Sequence, residues 1–472
     1  MDTQLPQELF DNIIDHLHDD HISLRTCALV SSAWLHRVRT HIFNRVTLDW
    51  HKSLGGRGTG FSFFARSPQP SLAKRLLAII KVNYTQTQKD NRLGGVASSI
   101  KELYLCEGTG TREWLAQDPS LPILLQELPN IRKFEVRRSA ASVYIKWKGL
   151  PLALKDAIQG NVLASTTLTE LKIGSLLFEG LNDVLYLLGA CRGLRVLEVD
   201  HIGFEDEQVA ILDGDGLKLH GEEVPYRVVE PTSLDRLVIG PRTSPAFISC
   251  LLHRASTIDI GTVRTLALSI SGDFKDFARL LHATHALEEL EIALVHDGTS
   301  SLHIFVPAHL QPHFTVYLKE YWSLPPSDKF YLSKVPRLRK FKVAVDVLQQ
   351  MDDPLPWLCA VLRTGVDPAS PCTRNRIKNV SVTYAIYLPA PYMDRSINTT
   401  IFEGWREIDD VLGGGGQEQH PYEELESVRL DFVLENPIGF GIAPRFLKEL
   451  VLDSPRLREK GLLSIRAYDT SK

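Results

Sequence analysis

The stretch GLNDVLYLLGACRGLRVLEV, residues 180–199, decides the fold. Its first twelve residues carry apolar side chains at helical spacing. Its last eight place Leu194, Leu197 and Val199 in the order apolar, two of any kind, apolar, one of any kind, apolar. Leu197 and Val199 alternate as one face of a strand requires, with the polar Glu198 between them. The unit therefore reads helix, loop, strand.

The same triplet of anchors recurs along the chain: Ile100-Leu103-Leu105, Ile131-Phe134-Val136, Leu168-Leu171-Ile173, Leu234-Leu237-Ile239, Val263-Leu266-Leu268, Leu287-Leu290-Ile292, Leu338-Phe341-Val343, Ile377-Val380-Val382 and Leu425-Val428-Leu430. A degraded copy closes the series at Leu462-Leu463-Ile465. Helical patterns precede several copies, at residues 271–284 and 356–365. A lone unit of this kind cannot bury its apolar face, so neighbours must stack to make a continuous core. The triplet resembles the L-x-x-L-x-L portion of leucine-rich repeats. The spacing of the middle anchors varies from 24 residues (Leu266 to Leu290) to 51 (Leu290 to Phe341), and the family's Asn or Cys three residues after the last anchor is missing. The expectation is α/β: an irregular leucine-rich-repeat-like solenoid over residues 96–472, with a mostly parallel sheet.

Working outward towards the start, residues 51–71 (HKSLGGRGTGFSFFARSPQPS) are rich in Gly, Ser and Pro and read as a linker. SLAKRLLAIIKV after it suggests a helix that packs on the first repeat, giving a linker plus packing helix over residues 49–95. Residues 1–48 read as three short helices. Pro6 suits a first helical position, and Glu8 and Asp11 favour the positive end of the dipole. Leu9, Phe10, Ile13, Ile14 and Leu17 form one apolar stripe. Ser23 is expected to cap a second helix carrying Leu24, Cys27 and Ala28, and Ser31 a third with Trp34, Leu35, Val38 and Ile42 on one side. So short a unit buries little of its own surface, and it must pack against something.

This segment resembles the F-box in its fungal form, LPxEL…II…L…SL…CALVS…W. The matching residues are Leu5-Pro6, Glu8-Leu9, Ile13-Ile14, Leu17, the Leu24…Cys27 step and LVSSAW from Leu29 to Trp34. The resemblance implies docking onto the adaptor subunit of an SCF-type cullin–RING ubiquitin ligase and, through it, onto cullin. It implies adaptor-binding roles for Leu5, Pro6, Leu9, Ile13, Leu17, Leu24, Cys27, Leu29, Val30 and Trp34. Sequence alone does not divide these side chains between internal core and interface.

The 472 residues carry 44% hydrophobic and 23% charged side chains and a formal net charge of −4. That composition is ordinary for a globular chain, and no basic excess favours nucleic acid or an anionic membrane. Six scattered cysteines, none at C-x-x-C spacing, argue against a zinc ribbon or a disulfide scaffold and for a reducing compartment, cytoplasmic or nuclear. MDTQLPQELFD has no signal-peptide pattern, and no apolar run is long enough to span a bilayer. The N-x-[ST] triplets at Asn83, Asn379 and Asn398 read as chance matches in that setting. DHLHDDH, residues 15–21, gathers His and Asp but reads as a solvated helix terminus, so no metal is expected.

Three insertions interrupt the repeats. Residues 209–224 suggest a β-hairpin turning at Asp213-Gly214-Asp215-Gly216, with an EF-hand excluded by Leu217. Residues 296–334 carry Phe305, Phe314, Tyr317, Tyr321, Trp322, Phe330 and Tyr331, suited to a binding surface if exposed or to packing if buried. Residues 389–424 end in GGGGQEQHP and read as a flexible surface loop. No G-x-S-x-G, H-E-x-x-H or Walker A pattern is present, and GGRGTGF lacks the third glycine of a dinucleotide loop. The expected protein is a non-catalytic substrate receptor with no cofactor, its helices on the adaptor and its solenoid on an unidentified target protein. The competing expectation is a protein-binding scaffold acting outside the ubiquitin system.

Overall fold

The computed structural model of the chain describes residues 6–49, 71–90, 95–108, 113–138, 143–205, 231–270, 274–294, 331–347, 355–365, 376–386, 405–414, 422–434 and 454–469. The chain is α/β with a large, mostly parallel sheet. It divides into two compact units, Met1–Ser233 with Ser249–Ile258, and Leu234–Ile248 with Asp259–Lys472.

The first unit begins with three helices, α1 (Gln7–His16), α2 (His21–Val30) and α3 (Ser32–Ile42). Its strands are β1 (Arg45–Asp49), β2 (Glu102–Glu107), β3 (Lys133–Arg138), the two-residue β4 (Ile145–Lys146), β5 (Glu170–Phe178), β6 (Val196–Phe204) and the two-residue β7 (Thr232–Ser233). They pair in the order β1-β2-β3-β5-β6, with β4 also on β5, and every one of these pairings is parallel. Leu103 faces Phe134, Phe134 faces Leu171 and Leu171 faces Leu197, so the sequence anchors meet in register.

In the second unit the strands are β8 (Arg236–Ile239), β10 (Thr265–Ile270), β11 (Glu289–Leu294), β12 (Lys340–Val347), β13 (Asn379–Ile386), β14 (Ser427–Leu434) and β15 (Leu463–Asp469), and the two-residue β9 (Ile258–Asp259) is divided between the units. The parallel order is β8-β10-β11-β12-β13-β14-β15. Again the anchors coincide: Leu237 with Leu266, Leu266 with Leu290, Leu290 with Phe341, Phe341 with Val380, and Val380 with Val428. The degraded last copy joins the same way, Leu463 beside Val428 and Ile465 beside Leu430.

The first anchor of each copy, from Ile100 to Leu425, is buried beneath the strand entry, as are the second and third. Full burial of one such side chain stabilises by roughly 1.5–3 kcal/mol, and repetition is what sustains the fold. The residue after the first anchor fixes the register. Its carbonyl accepts the N–H groups of two consecutive residues of the next strand: Lys101 from Arg132 and Lys133, Arg132 from Thr169 and Glu170, Arg264 from Glu288 and Glu289, and Arg339 from Lys378 and Asn379. Helices Leu181–Gly189, Phe274–Ala283 and Leu355–Arg363 precede their strands where helical periodicity places them.

Four features depart from the sequence reading or lie beyond it. Phe43-Val46-Leu48 is one more copy, unseen in the sequence because it follows α3 without a break. Val46 pairs with Leu103 and Leu48 with Leu105, and the Asn44 carbonyl accepts from Lys101 and Glu102. Residues 389–424 are not loop throughout, because Trp405–Gly413 is a helix that buries Trp405, Ile408 and Leu412. The buried Asp409 carboxylate of that helix accepts from the Arg456 and Leu457 N–H groups (3.1 and 2.8 Å), fixing the start of helix Pro455–Glu459. Ser175 on β5 and His201 on β6 both adopt left-handed backbone (φ 56° and 53°), and the strand pairing skips both, running from Gly174 with Asp200 to Leu176 with Ile202. The Tyr144 ring lies against His201, centroids 4.2 Å apart. The expected hairpin at 209–224 lies outside the described residues, as do the aromatics of 296–334 apart from Tyr331.

Candidate functional site

Helices α1 to α3 hold the sequence-predicted site. Pro6 flanks α1 from outside as its N-terminal cap residue. Asp20, not Ser23, caps α2: its carboxylate accepts from the Ile22 and Ser23 N–H groups, both at 3.1 Å, and from Ser23 Oγ at 2.6 Å. A carboxylate takes two backbone donors at once, and the helix starts at His21, so Ser23 falls inside the first turn. Ser31 caps α3 as expected, accepting from Ala33 N at 3.2 Å.

The three helices close on a small core of Ile14, Leu24 and Val38, with Leu17, Cys27, Ala28, Trp34 and Ile42 packed against it. The rings of Phe10 and Trp34 lie 5.3 Å apart. Asp15 ties α1 to α3: Arg37 binds its carboxylate through two nitrogens, and His41 Nε2 lies 2.8 Å away. The Arg37 hydrogen bonds, aided by His41, hold the Asp15 pKa down at about 2, and Asp15 in turn raises that of Arg37. Of the histidines in residues 15–21, His18 is within hydrogen-bond distance of the Asp15 carbonyl and the Asp19 carboxylate. Among the described residues no group of three or more His, Cys, Asp or Glu side chains converges for a metal.

The residues singled out in the sequence fall into two sets. Leu24 is buried, and Leu17, Cys27 and Trp34 are half-buried against the core. Pro6, Leu9, Ile13, Leu29 and Val30 stay exposed: Leu29 at 89%, Val30 at 65%, Ile13 at 57% and Leu9 at 47%. Leu5 lies outside the described residues. Ile22, 79% exposed at the start of α2, belongs with the exposed set and escaped sequence reading. Its signal was there: it stands seven residues before Leu29, which puts both on one face of α2 away from Leu24. Pro6, Leu9 and Ile13 recur at helical spacing along α1, whereas Leu29 and Val30 end α2. The arrangement can present apolar side chains to a groove in another protein, with α3 joining the segment to β1 two residues on.

The sheet face opposite the anchors is polar in the first unit and mixed in the second. In the first unit Thr47, Tyr104, Glu135, Lys172 and Glu198 stand side by side across the strands. Lys172 pairs with Glu198, Lys133 with Glu170 at 2.9 Å and Arg137 with Glu135 at 3.0 Å, while Arg45 lies over the Tyr104 ring. In the second unit the corresponding row is Val238, Ala267, Glu291, Lys342, Ser381, Arg429 and Ser464. No helix among the described residues is long and apolar enough to cross a membrane.

The chain matches no family model and no curated protein.

Proposed function

We propose that this chain is a substrate-recognition subunit of an SCF-type cullin–RING ubiquitin ligase. Residues 1–48 act as a fungal-type F-box on the adaptor, and the repeats form an irregular leucine-rich-repeat-like solenoid that holds a target protein. The observation that carries this reading is the exposure of Leu9, Ile13, Leu29 and Val30 on helices whose own core is already closed by Ile14, Leu24 and Val38. Residues matching the F-box pattern are thus free to enter a partner's groove without unfolding the segment. The in-register anchors support the solenoid, since each parallel strand stacks on the last by one repeated hydrogen-bond pattern.

On this reading the chain supplies no reacting group. Partners bring the activated ubiquitin, and the receptor raises the effective concentration of target lysines beside it. The test is co-purification with the adaptor. The intact chain is expected to retain it, and L29D/V30D to lose it with the fold unchanged. Equal retention by both would refute the assignment and favour a scaffold outside the ubiquitin system.

A further inference from the structure

Strand β15 pairs with β14, and among the described residues no strand takes its other edge. The Leu462 carbonyl accepts the Val428 N–H at 2.8 Å, so Leu462, Ser464 and Arg466 turn their backbone groups towards β14. The alternate residues Leu463, Ile465 and Ala467 turn their N–H and C=O groups away from it. Proline, lysine or a bulge commonly guards such an edge. LSIRAYD, residues 463–469, contains neither proline nor lysine, and its pairing runs unbroken through seven residues, from Leu463 beside Val428 to Asp469 beside Leu434. The anchors are buried in every copy from Ile100 to Leu430, yet Leu463 and Ile465 are only half-buried. In the first unit β1 also has one partner strand, and its Val46 is half-buried, but its Leu48 is buried and helix Leu72–Asp90 lies against the strand.

Charge adds a second, independent feature. Arg466 is exposed beside Asp431, whose carboxylate is already engaged by Arg429 at 2.7 and 2.9 Å. Among the described residues Arg466 has no ion-pair partner. Side chains alternate between the two faces of a strand, so a further strand would set apolar residues beside Leu463 and Ile465 and an acidic residue beside Arg466. We propose that the outer edge of β15 takes up an extended segment of a partner protein, apolar at alternate positions with an acidic residue between, as one more strand of the sheet. Main-chain hydrogen bonds hold the segment, its apolar side chains cover the two open anchors, and its acid neutralises Arg466. A second copy of this chain fits the edge less well. Arg466 is the central residue of the seven, so two β15 strands paired antiparallel over their whole length would set Arg466 against Arg466. The edge and the exposed side chains of α1 and α2 belong to different units, so this reading and the adaptor reading stand or fall separately.

The test uses the full chain and fluorescence anisotropy with three labelled peptides of about nine residues. The first alternates Thr and Val with Glu in place of the central Thr, a pattern that reads the same in either strand direction. The second has Lys in place of that Glu, and the third is the first with backbone N-methyl groups throughout its centre. The Glu peptide is expected to bind, the Lys peptide to bind about fivefold more weakly, and the N-methyl peptide not to bind. R466E should reverse the preference and favour the Lys peptide, which also shows that the variant is folded. L29D/V30D should bind the Glu peptide within about twofold of the parent, which separates this result from the fate of the adaptor reading. The proposal is overturned if the Glu peptide does not bind, if the N-methyl peptide binds equally well, or if R466E leaves the preference unchanged. Self-association of the parent chain in sedimentation velocity, altered by R466E but not displaced by the Glu peptide, would assign the edge to a second copy and overturn it as well.

Discussion

The N-terminal helices and the sheet treat apolar side chains in opposite ways. In the sheet, the three anchors of every copy from Ile100 to Leu430 are buried. In the helices, three side chains make the buried core while Leu9, Ile13, Ile22, Leu29 and Val30 stay largely exposed. Both regions are equally apolar in sequence. The difference is one of neighbours: each inner strand has a copy of itself on either side, whereas α1 and α2 pack on one another and on α3 around three buried side chains. A repeat satisfies its apolar face within the chain, whereas the short unit of three helices leaves part of that face exposed.

The comparison is broken most severely by exchanging the two kinds of site. L29D/V30D is expected to lower adaptor affinity at least a hundredfold, read by calorimetric titration, while the thermal unfolding midpoint moves by no more than about 2 °C, since exposed substitutions rarely change stability much. Phe341→Ala, at the centre of the second unit's ladder, should do the reverse. It should cost about 3–5 kcal/mol in denaturant unfolding with adaptor affinity unchanged. A large affinity loss there would mean that the helices depend on the second unit's sheet. Smaller is Asp409→Ala, which strips two charge-assisted hydrogen bonds from the start of helix Pro455–Glu459 and should cost about 1.5–3 kcal/mol by the same assay.

Acid sharpens the contrast further. Asp15 has its folded pKa depressed to about 2, below the ordinary carboxylate value. Its stabilising link to Arg37 is therefore fully present above about pH 4 and is lost as pH falls towards 2. Far-UV circular dichroism between pH 5 and 2 should show the parent losing helical signal over that window, and Asp15→Asn showing a weaker dependence there. The smallest expected effect is chemical. Burial pushes the Cys191 and Cys250 thiols up to about 12, whereas Cys27 is only half-buried. Alkylation at pH 8 followed by peptide mapping should mark Cys27 in the native protein, and Cys191 and Cys250 only after unfolding.

Much of the sheet could be read beforehand because its signal is repeated. The anchor triplet fixed which residues point inward and which meet across strands, down to Leu463 beside Val428. The copy at Phe43-Val46-Leu48 escaped because no loop separates α3 from β1, so its residues blended into the preceding helical pattern. Helix Trp405–Gly413 escaped because its neighbour, the glycine run at 413–416, dominated the reading of residues 389–424. In the candidate site the ten named residues could not be sorted by sequence, since Leu24 and Leu29 are both leucines on one helix. Which is buried depends on where α3 lies.

The central claim is that the exposed apolar side chains of α1 and α2 seat in the adaptor's groove, and calorimetric titration of the intact chain with the purified adaptor tests it most directly. The account predicts saturable one-to-one binding with a negative heat-capacity change, abolished by L29D/V30D. Absence of binding by the parent chain, or unchanged binding by the folded variant, would contradict it.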